Sequence, residues 1–66
     1  MRIVLNGEAR ELADDVTLGD LLATLELHQV RYAVEVNEEL IPRSEHAVHA
    51  LKGGDRVEIV QAIGGG

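Results

Sequence analysis

His46 and His49 stand three residues apart and could share one face of a helix, with His28 elsewhere in the chain. A closed zinc site takes about four ligands, so carboxylates would have to complete one here, and surface histidines are the expectation. Ser44, His46 and Asp55 supply the residue types of a hydrolase triad, but no nucleophile-elbow or oxyanion-hole signature accompanies them. Asp14-Asp15 and Glu38-Glu39 read as solvated turns rather than paired catalytic carboxylates. Gly53-Gly54 runs into Asp55 and Arg56, with no Lys-Ser/Thr to hold phosphate and metal, so it is not a phosphate loop. No metal ligand and no catalytic residue is assigned to the chain.

What remains is Gly64, Gly65 and Gly66. Glycine has no Cβ, so such a stretch can thread a narrow channel with its backbone close to another protein. Chain ends also fray commonly, so a terminal Gly-Gly is weak evidence alone and the upstream elements must decide.

Those elements come from 66 residues, a length at which a single domain buries roughly 60% of its unfolded surface. Ligand pockets occupy about 300–1,000 Å³, and a core this small leaves little room for one. A carrier, adaptor or binding module is favoured over an independent enzyme. The chain has no cysteine and, beyond Tyr32, no aromatic residue. Its core must be aliphatic, without disulfides, thiolate-bound metal or stacking platforms for bases. Twelve acidic against six basic side chains give a net charge of −6. That charge repels phosphate backbones and suits encounter with a basic protein surface. The apolar run Ile3 to Leu5 is too short for a signal-peptide core or a membrane span, so a cytoplasmic protein is expected.

Arg2 to Asn6 is short and β-branched, and Asn6-Gly7 fits a type I′ turn, whose central positions both need positive φ. Glu8 to Leu12 returns as the second strand. Thr17 offers a helix N-cap, with Asp20 at capping-box spacing. Leu18, Leu21, Leu22 and Leu25 fall at i, i+3, i+4 and i+7, one apolar face of a helix expected over Leu18 to Leu27. Gly19 weakens this helix by about 1 kcal/mol relative to Ala but permits close packing. Tyr32 to Asn37 alternates as a half-buried strand, Asn37 to Glu39 turns, and Leu40-Ile41 is extended until Pro42. Ser44 to Leu51 is ambiguous, with Ala47, Val48 and Leu51 able to anchor a helical turn. Gly53-Gly54-Asp55 is a turn, and Arg56 to Ala62 is the last strand. The order is an α+β pattern: a mixed sheet of four to five strands with one main helix on one face. By analogy, with the first and last strands central and parallel, this is the β-grasp or ubiquitin-like architecture. The domain would span 1–63 and the glycine tail 64–66.

With these elements placed, the chain resembles the ThiS family of thiamine-pathway sulfur carriers over essentially its whole length. The matching residues are Asn6-Gly7, Thr17 with Leu21-Leu22, Val34-Glu35-Val36-Asn37, Ile41-Pro42-Arg43, Gly54-Asp55-Arg56-Val57 and the closing Gly65-Gly66. Departures are the stretch Ile59 to Ile63, which lacks an aromatic residue, and the extra Gly64. The resemblance implies that Gly66 is adenylated by an E1-like, ThiF-type enzyme using ATP. A sulfur donor such as a cysteine desulfurase then displaces AMP to leave a thiocarboxylate. A ThiG-type thiazole synthase accepts the sulfur. The chain would be a co-substrate, not an enzyme, and would bind no cofactor itself. With no thiol of its own, it must receive sulfur from outside. Its single lysine, Lys52, suits a carrier better than a chain-building modifier. The alternatives are the small subunit of molybdopterin synthase, a ubiquitin-like modifier and a plain interaction module.

Strand alternation adds an expected docking surface. Ile3, Leu5, Val57 and Ile59 should face the helix, which puts Val4 and Val60 on the opposite face. Ala62 continues that line, and Ile63 leads into the glycines.

Overall fold

Asn6 and Gly7 both take positive φ, 48° and 85°. They turn the chain from β1 (Arg2–Leu5) into β2 (Glu8–Glu11). The computed structural model describes residues 1–27 and 31–61. His28 and the stretch 62–66 lie outside the described residues.

Thr17 and Asp20 cap the only α-helix among them, α1 (Leu18–Ala23), reciprocally. The Asp20 amide donates to Thr17 Oγ1 at 3.1 Å, and the Thr17 amide donates to Asp20 Oδ2 at 3.0 Å. The helix stops short of the expected Leu27. Thr24 Oγ1 donates to the Leu21 carbonyl at 2.7 Å, and the Thr24 and Leu25 amides reach back only three residues, to Leu21 and Leu22. Glu26 then takes φ 52°. A threonine hydroxyl that bonds nearby backbone competes with the helix ladder, and positive φ ends it. Leu25 and Leu27 still pack partly buried against the core.

β3 (Tyr32–Val36) and β4 (Glu39–Leu40) form a second hairpin, with Asn37 and Glu38 at φ 53° and 69°. Pro42 leads into a 3₁₀ turn, Arg43–Glu45. Of the three anchors considered for 44–51, only Leu51 is buried, while Ala47 and Val48 are exposed. His46 is a correction: it is buried rather than superficial, with Nε2 3.0 Å from the Ile41 carbonyl oxygen. A ring paired with a backbone carbonyl can be buried without an orphaned polar atom. β5 (Arg56–Gln61) completes the sheet.

The sheet order is β2-β1-β5-β3-β4. β1 and β5 run parallel through Val4↔Arg56 and Leu5↔Val57, and the other pairs are antiparallel. The core is aliphatic throughout. Ile3, Leu5, Val34, Val36 and Val57 of the sheet meet Leu18, Leu21 and Leu22 of α1, with Ile41 and Leu51 closing the sides. This is the expected β-grasp, with all five strands present. No helix among the described residues is long and apolar enough to cross a membrane.

Candidate functional site: the strand that leads to the glycines

β5 lies between two neighbours that do not end together. β3 follows it to the last described residue, through Glu35↔Glu58, Val34↔Ile59, Ala33↔Val60 and Tyr32↔Gln61. β1 stays only as far as Leu5↔Val57 and then turns away at Asn6. The Asn6 amide donates to the Val57 carbonyl at 2.9 Å, and the Ile59 amide donates to Asn6 Oδ1 at 2.8 Å. A second turn asparagine holds the other end of β5. The Arg56 amide donates to Asn37 Oδ1 at 3.0 Å, while Asn37 Nδ2 donates to Asp55 Oδ1 at 3.0 Å. Sequence reasoning found both turns and missed both clamps. The available signal was asparagine, rather than glycine, at the first turn position in each case.

The two faces of β5 differ as alternation requires. Val57 is fully buried and Ile59 half-buried on the helix side, while Val60 is 57% exposed on the other. Val4 is half-buried on the outer face. Val4 and Val60 therefore share a face but are not neighbours. Val4 is level with Arg56, and Glu58 stands between Arg56 and Val60. Glu58 is directly opposite Glu35, and exposed Leu40 is level with Glu35 on the next strand. Like charges directly opposite one another destabilise a sheet, and among the described residues neither glutamate has an ion-pair partner. The outer face is thus an acidic pair between apolar residues rather than a continuous apolar strip. The remaining candidates, Ala62, Ile63, Gly64, Gly65 and Gly66, lie outside the described residues.

On the helix side, the Arg43 guanidinium sits 5.5 Å from the centre of the Tyr32 ring. This cation–π contact fixes the Pro42-Arg43 turn beside the residue paired with Gln61. An open groove runs past the same end of β5, lined by Leu5, Asn6, Leu25, Leu27, Ile59 and Gln61.

The imagined triad does not assemble. His46 is engaged with Ile41, and Asp55 Oδ2 accepts the Lys52 amide at 2.8 Å within a turn. Among the described residues no three His, Asp or Glu side chains gather as a metal site.

A five-stranded sheet of this order with one helix packed on one face defines the ubiquitin-like, β-grasp class. The ThiS family model matches residues 3–66. The sulfur carrier protein ThiS of Escherichia coli is 33% identical over 66 residues, covering all of both chains. A thiazole synthase of Paramagnetospirillum magneticum is 42% identical over 66 residues, and there this chain spans only 20% of the relative's length. The crystal structure of a thiamine biosynthesis protein (ThiS) from Geobacter metallireducens superposes with a TM-score of 0.84 at 30% identity, covering all of both chains. The chain belongs to the ThiS family, the sulfur carriers of thiamine biosynthesis.

Proposed function

We propose that this chain carries sulfur for thiazole formation on its terminal carboxyl, as a co-substrate of partner enzymes. The observation that carries this reading is the end-to-end match to a sulfur carrier, with Gly65-Gly66 closing the sequence after β5. The Gly66 carboxylate attacks the α-phosphate of ATP held by an E1-like, ThiF-type enzyme, and pyrophosphate leaves. The persulfide of a donor such as a cysteine desulfurase attacks the acyl carbon, the carbonyl–phosphate oxygen bond breaks and AMP departs, leaving an acyl disulfide. A thiol of the donor system then attacks the donor's sulfur of that disulfide, which leaves a thiocarboxylate on Gly66 and oxidises the two donor thiols to a disulfide. The likeness to two thiazole synthases that each include a segment like this chain favours a ThiG-type synthase as acceptor over molybdopterin synthase. The outer sheet face, with Val60, Leu40 and the Glu35–Glu58 pair, is the docking surface for the adenylating enzyme. It fits a partner that places an arginine or lysine between apolar side chains.

Removing Gly66 tests the core of this reading. The shortened chain should keep its thermal midpoint and lose all loading. Intact-mass spectrometry, after incubation with ATP, the adenylating enzyme and a sulfur donor, reads loading as one oxygen exchanged for sulfur. A truncated chain that still loads at the normal rate overturns the assignment, and one that unfolds makes the tail structural.

A further inference from the structure

We infer that Asn6 is a positioning residue for the glycine end, an inference that rests on the sulfur-carrier reading. β5 outlasts β1, so its β1-facing edge would be left open from Ile59 onward. Asn6 closes the first position of that edge from 53 residues away, taking the Ile59 amide on Oδ1 at 2.8 Å. It can do so because it occupies a turn position at φ 48°, a conformation asparagine tolerates well. From that position its own amide bonds Val57, two residues earlier on the same edge. The side chain thus acts as one more residue of β1 and continues the pairing of β5 on that edge past Val57 to Ile59. Every residue ordered in advance is one that need not be ordered when the carboxyl enters a partner's site.

Asn37 supplies an internal control. It makes the same side-chain-to-amide bond, to Arg56, at the end of β5 remote from the glycines. It too sits at positive φ in a hairpin turn. Asn6→Gly and Asn37→Gly each remove one such acceptor while keeping a residue suited to positive φ. Asn6→Asp keeps both the acceptor and a type I′ turn sequence.

The experiment measures amide hydrogen exchange at Ile59 together with steady-state adenylation of the full chain. In Asn6→Gly, Ile59 exchange should accelerate and KM for the carrier should rise about three- to tenfold, the cost of ordering one more residue. At saturation, kcat should hold. Asn6→Asp should restore both, and Asn37→Gly should leave KM unchanged. An unaltered KM in Asn6→Gly, or an equal rise in Asn37→Gly, overturns the inference. If the native chain is not adenylated at all, the sulfur-carrier reading fails instead. Ile59 exchange then decides the clamp: acceleration in Asn6→Gly supports it, and an unchanged rate overturns it.

Discussion

Gly19 shows how much one missing methyl group can decide. Its amide donates to the His46 carbonyl at 2.7 Å. A Cβ there would stand 3.1 Å from Ala47 Cα and 3.2 Å from the His46 oxygen. Both obstacles are backbone, and the same hydrogen bond holds them in place. In an open helix Gly→Ala gains about 1 kcal/mol, whereas overpacking costs about 1–3 kcal/mol. We expect Gly19→Ala to lower stability by about 1 kcal/mol, read as a lower urea midpoint. A higher midpoint would mean that the His46-Ala47 backbone gives way. The sequence marked Gly19 as permissive of close packing, but it could not say against what. That partner lies in 44–51, where periodicity is too short to distinguish a turn from a helix. The burial of His46 was hidden for the same reason, because its hydrogen-bond partner is supplied by the path of the chain at Ile41.

At the level of elements, a six-residue helix cannot be stable from its own hydrogen bonds, since isolated helices shorter than about 12 residues are marginal in water. α1 persists through its capping box and its buried leucines, of which Leu21 is 2% exposed. Leu21→Ala should therefore cost about 2–5 kcal/mol, a large part of the stability available to so small a domain. A thermal midpoint unchanged within error would disprove the assigned helix face. The first hairpin, the turn at Asn37 and the last strand were legible because turn chemistry and alternation act over a few residues. The helix C-terminus was not. Leu25 and Leu27 continue the apolar face, so the pattern runs past the point where Thr24 and Glu26 leave helical geometry. The two-residue β4 was visible only as an extended piece. The face assignment of Val4 and Val60 followed from alternation alone, but their separation by Glu58 needed the register.

Over the whole molecule, a net charge of −6 steers the chain toward basic surfaces and makes encounter sensitive to salt. The Glu35–Glu58 pair brings that charge to one place on the outer face. Its removal should separate folding from docking. Glu58→Lys replaces a like-charge pair with an opposite one, so stability should rise by about 0.2–1 kcal/mol. Affinity for the adenylating enzyme should fall about tenfold, with a weaker salt dependence of association. Binding that is unchanged, alongside the stability gain, would remove this face from the docking surface.

The parallel pairing of β1 with β5 joins residues near positions 4 and 56 at the centre of the sheet. A contact of such long sequence separation carries a large loop-closure cost and slows folding. As the chain is synthesised, Ile3 and Leu5 emerge first and must wait for Val57 before their side of the core can close. A growing chain that stops before β5 therefore stays open, with its aliphatic residues exposed to degradation or aggregation. The strand that completes folding is the one that carries the glycines. On the sulfur-carrier reading proposed above, closing the core and holding the segment before the glycines depend on the same strand.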